Sequence, residues 1–195
     1  MTKLITKTIP FREQLVRARA DVSAAACYAD LIADTVRAPD TRPNLFRIGL
    51  PQLLAWDALL SLAVDPAGAV LAGAHAVIDR RTAAVQGVVT APSARRSGFA
   101  TRVVAKLIVA VHERYGVTAF GATVRLLGND EPNPLVWPLF QRLGFDPAEP
   151  ETIAIKGSGL DAHLDDGSGT FRAVSLSAGV AAVETARAIL RAERF

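Results

Sequence analysis

Residues 90–101 read Thr-Ala-Pro-Ser-Ala-Arg-Arg-Ser-Gly-Phe-Ala-Thr, so two arginines stand just before a glycine. Two guanidiniums beside a backbone with no Cβ suit an oxyanion, and a phosphate or pyrophosphate above all. Beyond the glycine, apolar residues recur at helical spacing: Phe99, Val103, Val104, Leu107, Ile108 and Val111. A helix therefore begins at Gly98. Its first N–H groups lack intrahelical acceptors and carry partial positive charge. Gly98 lets an anion approach them closely. A glycine-containing basic turn at a helix start is a phosphate site. Val85–Thr90 reads as the strand feeding it, and Pro92, which has no N–H for a ladder, stops that strand near Ala91.

Few other residues offer chemistry. His75 falls on a predicted strand, with Asp57 and Asp79 near element ends. These are the candidate bases. The competing reading of His75 is a core histidine bonded to a backbone group, and that of the aspartates is turn and helix-end chemistry. The hydroxyls of Tyr28, Tyr115 and Ser97 have no selecting spacing. The basic turn is not succeeded by Gly-Lys-Ser/Thr, and Gly-x-Gly-x-x-Gly is absent, so it is neither a nucleotide P-loop nor a dinucleotide fingerprint.

Composition narrows the classes further. The 195 residues suit one domain, and half of them are hydrophobic. Cys27 is the only cysteine and the three histidines are scattered, so no disulfide and no metal site is expected. There is no apolar run long enough to span a membrane. The first 14 residues lack the apolar core of a secretory signal, so a reducing cytoplasm is the expected compartment. A net charge of +3 is too small and too spread out to point to nucleic acid.

The elements that must position the turn can be read from periodicity. Residues 1–10 read as an arm or edge strand, and Arg12–Val36 as a helix, broken by the proline-rich 38–43 segment. A second helix is expected over Leu50–Leu59, with Pro51 in its first turn. Strands at Leu60–Val64, Ala69–Ile78 and 84–90, joined by short polar turns, make an antiparallel meander. The helix from Phe99 ends at Gly116 in a left-handed cap. Val117–Leu126 is the next strand, parallel to 84–90 across the crossover. A polar loop over 128–134 opens a helix at Pro134–Leu143, capped by Gly144, with Phe145 returning to the core. Glu151–Lys156 is a strand, 157–169 an exposed loop, Thr170–Leu176 a strand, and Ser177–Arg194 a terminal helix with Ser177 as its cap.

Two stretches together resemble a known family. Thr90-x-Pro92-x-x-Arg95-x-x-Gly98-x-Ala100 is similar to the cofactor signature of the GNAT-type N-acetyltransferase superfamily, a strand followed by Gln/Arg-x-x-Gly-x-Gly/Ala at a helix start. Asn133, then Leu139-Phe140-x-x-Leu143-Gly144-Phe145, resembles its second element, an asparagine before a helix ending in aromatic-x-x-x-Gly-Phe. The two lie in the expected order. The resemblance implies an α/β (α+β) fold: a single domain over 1–195, best matched over 60–156. Its mixed sheet has an antiparallel meander followed by a parallel strand-helix-strand unit, with helices on both faces. Residues 177–195 are an added helix, expected to pack on the domain, with a homodimer contact as its alternative role.

The resemblance also implies acetyl-coenzyme A as co-substrate and an amine acceptor, the acyl group passing directly from one to the other. The sheet is expected to splay beside 84–90, exposing backbone of Val88, Val89 and Thr90 to the pantetheine arm. The pyrophosphate is expected on the amides of Arg96, Ser97, Gly98, Phe99, Ala100 and Thr101, with Arg95 and Arg96 alongside. Asn133 would hold the arm, and a backbone N–H near Val89 would serve the oxyanion. Phe140 stands where many members carry a tyrosine hydroxyl near the sulfur, and phenylalanine has no proton to give. The rivals are a non-catalytic acyl-coenzyme A-binding module, which Phe140 favours, and an acyltransferase-like enzyme acting on nucleic acid, which only the basic pI of about 9.4 favours.

Overall fold

Arg12–Arg17 is a strand, β1, and not the start of the expected helix. Leu15 packs toward one face of the sheet and Val16 toward the other, the two-residue period of a strand. The helix α1 begins only at Val22 and runs to Arg37. Asp21 sets its start: Oδ1 accepts a bond from Ala24 N–H at 2.9 Å, and the backbone carbonyl accepts one from Ala25 N–H. The computed structural model describes residues 9–37, 48–126, 130–131, 133–154 and 170–192. Residues 1–8 of the expected arm, the 38–43 break, the 157–169 loop, residues 128, 129 and 132 of the 128–134 loop and residues 155–156 lie outside them.

The helix α2 spans Leu50–Trp56, with Pro51 in its first turn. It ends sooner than expected, at Asp57 in the left-handed conformation (φ 46°). Leu59 already belongs to the next strand, β2, Leu59–Val64, which is buried throughout. β3 (Val70–Asp79) and β4 (Thr82–Thr90) complete an antiparallel meander. The Asp65–Gly68 turn is closed by a bond from Gly68 N–H to the Asp65 carbonyl. The edge strand β1 pairs antiparallel with β2, Arg12 opposite Val64 and Arg17 opposite Leu59.

Helix α3, Phe99–Tyr115, ends on Gly116 at φ 65°, the expected cap. It returns the chain to β5, Ala119–Arg125, which lies parallel to β4. Helix α4 is shorter than expected, Trp137–Arg142, with Gly144 just beyond it at φ 79°. β6 (Asp146–Pro147), β7 (Glu151–Ala154) and β8 (Thr170–Ala178) then form, and α5 spans Ala181–Ala192. Ser177 does not cap α5. It belongs to β8, because the ladder with β5 continues to Phe120 opposite Ala178. The described strands lie in the order β1-β2-β3-β4-β5-β8-β6, with β7 also on β8. Helices cover both faces, as expected. The larger core lies under α3, α4 and α5, and a second lies under α1 and α2. Among the described residues no helix is long and apolar enough to cross a membrane, and none cluster as metal ligands.

Candidate active site

β4 and β5 are neighbours for only three residue pairs, Thr82–Ala119, Ala83–Phe120 and Ala84–Gly121. Beyond Ala84 they part. β5 carries on against β8, while β4 carries on against β3. So the expected splay is present, and residues 85–90 border it. Ala91 N–H donates to Leu71 O, so these two form a bonded pair across β3 and β4. An antiparallel ladder alternates bonded and non-bonded pairs. Thr90, opposite Ala72, therefore turns its N–H and C=O away from β3, into the parting. Val89, opposite Gly73, turns toward β3, so the Val88 carbonyl, anti to the Val89 N–H across the shared peptide, turns away. The backbone facing the gap is therefore the Val88 carbonyl and both groups of Thr90; Val89, expected there with them, is turned to β3 instead.

A bulge sits at the base of this segment. Register between β3 and β4 shifts from Gly73–Val89 to His75–Gln86, and Gly87 takes φ 62°. A mid-strand glycine signals such a bulge, so this feature was readable from sequence. The packing beneath it was not. The Tyr28 hydroxyl, from α1, donates to Gly87 O at 2.6 Å and lies 3.0 Å from His75 Nδ1. His75 is fully buried, with the Trp56 ring stacked over it at 6.1 Å. Burial pulls its pKa down to about 4, against an opposing effect of Gln86. Burial likewise pushes the Tyr28 phenol up.

At the top of β4, Pro92–Ala94 forms a short 3-10 turn. Arg96 (φ 62°) and Gly98 (φ 79°) then take left-handed backbone. No side chain caps the N-terminus of α3. Arg96, Ser97 and Gly98 are exposed, and Phe99 turns inward against Phe11, ring centroids 4.7 Å apart. Arg102, one turn on, is paired with Glu13 of β1, and Lys106 meets the same carboxylate at 2.6 Å. Burial would raise the Glu13 pKa, but the two cations hold it below the ordinary value.

Asn133 is fully buried. Its Oδ1 accepts a bond from Leu135 N–H at 2.9 Å, while Nδ2 has no partner among the described residues. Phe140 lies in the larger core, edge-on to Phe145 with centroids 5.0 Å apart. Asp57 is engaged where α2 turns into β2. Arg17 donates to its carbonyl at 2.6 Å and sits 3.6 Å from its carboxylate, and Arg19 N–H donates to Oδ1.

The comparisons agree with this geometry. The model of the acetyltransferase (GNAT) family matches residues 28–145, more than half of the chain, and the protein belongs to that family. No curated protein sequence matches it. Several solved structures share its fold. The ribosomal-protein-S18-alanine N-acetyltransferase of Escherichia coli is 16% identical, with 87% of this chain and 94% of that one aligned and a TM-score of 0.59. An N-acetyltransferase from Staphylococcus aureus is 11% identical, with coverage of 88% and 98% and a TM-score of 0.60. An acetyltransferase-like protein from Salmonella typhimurium, solved with its cofactor acetyl-CoA, is 13% identical, with coverage of 88% and 94% and a TM-score of 0.58.

The residues present fit that cofactor. A buried amide nitrogen without a partner at Asn133, a helix start with no side-chain cap and a parting bordered by strand backbone are three donor sets. They suit an amide-bearing arm with a pyrophosphate at its end.

Proposed function

We propose that this protein is an acetyl-coenzyme A-dependent N-acetyltransferase that acts on a primary amine by direct transfer. The observation that carries this reading is the parting of β4 from β5 after Ala84, beside the basic glycine turn. In this reading the Val88 C=O and the N–H and C=O groups of Thr90 hold the extended arm, and the Asn133 amide donates to it. The amides from Arg96 to Thr101 and the charges of Arg95 and Arg96 hold the pyrophosphate. The bound cofactor supplies a thioester, an acyl donor with a thiolate leaving group.

The chain's residues then have limited work left. A backbone N–H bordering the parting stabilises negative charge on the reacting oxygen. Phe140 donates no proton, so the thiolate leaves unaided; a thiol pKa near ~8.5 makes it a fair leaving group. His75 is fully buried and burial weakens it as a base, and the Asp57 carboxylate already serves Arg17 and Arg19, so neither takes the role of general base. The amine arrives neutral, its nitrogen bonds to the acyl carbon as the C–S bond breaks, and the proton it sheds is taken up by the departing thiolate. The test is thiol release from acetyl-coenzyme A across a panel of small amines and peptide N-termini. Amine-dependent release is expected. Tight binding without release from any amine would favour the non-catalytic module, the reading that Phe140 supports.

A further inference from the structure

We propose that Tyr28 and His75 are positioning residues for the thioester, bracing the Gly87 bulge so that Val88 and Thr90 present their backbone to the cofactor arm. The proposal rests on the acetyltransferase reading above. Gly87 O has only lone pairs, so its 2.6 Å approach to the Tyr28 oxygen requires the phenolic proton between them. That proton is then spent. The 3.0 Å contact between Tyr28 and His75 holds together only if Nδ1 carries a hydrogen and donates it to the phenol oxygen. His75 is therefore the Nδ1–H tautomer, and Nε2 bears the lone pair. Nε2 is buried and meets no hydrogen-bond partner in range among the described residues, Gln86 included, so the tautomer is set at Nδ1 alone.

The chain of bonds runs His75 to Tyr28 to Gly87, from β3 through α1 to the bulge of β4. It fits tightly. A Cβ built on Gly87 would stand 2.4 Å from the Tyr28 oxygen and 2.6 Å from His75 Nδ1. Trp56 stacks over one face of the imidazole. The Gly87 carbonyl is thus fixed in direction, and the next residues are those whose alternation faces the parting. Removing the phenol frees that carbonyl and lets the peptide planes of 87–89 rotate. The turn at Arg95–Gly98 lies beyond the strand end and is untouched by the brace. The phosphates and the thioester are therefore served by separable parts.

That separation gives the test. Coenzyme A reports on the turn, and acetyl-coenzyme A reports on turn and thioester together. Calorimetric titration of wild type with both should show a preference for the acetyl form. In Tyr28→Phe coenzyme A affinity should hold, while the preference falls by about fivefold, the worth of one hydrogen bond. His75→Leu should lose the preference too, and His75→Asn, whose amide N–H stands where Nδ1–H does, should keep it. Loss of stability alone would leave the ratio unmoved. Long-range ¹H–¹⁵N spectra of the wild type at neutral pH should show the His75 proton on Nδ1. A proton on Nε2 overturns the proposal without any variant, as does an unchanged preference in Tyr28→Phe. Wild type that binds neither molecule overturns the acetyltransferase reading itself, and this proposal with it, even with the tautomer as expected.

Discussion

A histidine buried between Tyr28 and Trp56, with no charged group among the contacts it makes, is tolerated only while neutral. That has a consequence for acid stability, with a definite sign. The unfolded chain takes up a proton on His75 below pH 6.5, and the folded protein only below about 4. Between those limits the unfolded state binds more protons, so stability is intact above 6.5 and is lost as the pH falls toward 4. The full window corresponds to roughly 3 kcal/mol, about 2 of it spent by about pH 5. Urea unfolding of wild type and His75→Asn, between about pH 7.5 and 5, should show that extra loss in wild type only. Equal losses would mean that His75 is not the group responsible. A second residue-scale prediction concerns Gly87. Alanine there meets both a left-handed φ of 62° and a Cβ contact of 2.4 Å with the Tyr28 oxygen. Gly87→Ala should cost about 2 kcal/mol or more, and Tyr28→Phe in the same background should recover part of it. A strictly additive pair would show that phenol and glycine do not compete for one space.

The basic turn and helix α3 act as one unit, and the turn's backbone sets what the unit can bind. At φ 79° Gly98 holds a conformation in which a β-branched residue is strained by about 1–2 kcal/mol, and a side chain there would stand over the uncapped N–H groups. Gly98→Val should weaken acetyl-coenzyme A binding by about tenfold or more in calorimetric titration. Unchanged affinity would move the phosphates elsewhere. This unit was legible in the sequence, because a helical apolar period after a glycine has few other solutions. β1 was not. Five of its six residues are half-buried, on both faces, so their pattern passes for a helix, and only the pairing with β2, more than 40 residues on, decides between the two. Ser177 misled for a related reason: a serine before an apolar run reads as a cap, yet the β5 ladder claims it. Asp21 was a usable start signal that the longer apparent period overrode. Gly87 carried a signal for a bulge that the reading of 84–90 as a plain strand passed over, and Tyr28 lies 47 residues from His75, with no local pattern to link them. Asn133 was legible only through the resemblance, since one buried amide has no periodicity.

Taken as a whole, the described sheet is two ladders joined by a short seam. β1–β4 form one and β5 with β6, β7 and β8 the other, and Thr82–Ala84 against Ala119–Gly121 is the strand pairing between them. Helix α3 and the core beneath it supply the rest of the connection. A ligand that enters the parting and bonds to β4 on one side, with its phosphates on α3, adds contacts that the unfolded chain cannot make. At about a hundredfold excess over its dissociation constant, acetyl-coenzyme A should therefore stabilise the fold by about 2.7 kcal/mol. For a domain of this size that is a rise in melting temperature of roughly 5–10 °C. Stabilisation alone would result from binding anywhere, so the place matters as much as the size. Amide hydrogen exchange should slow at Thr90, whose N–H faces the parting, at Val88 beside it, and at the first turn of α3. It should change little at β1 and β2, which lie away from the parting on the other side of β3. Protection that spread evenly over the sheet would mean that the ligand tightens the protein without lying between β4 and β5. Protection confined to the first turn of α3 would leave the phosphate site standing and remove the strand-bound arm.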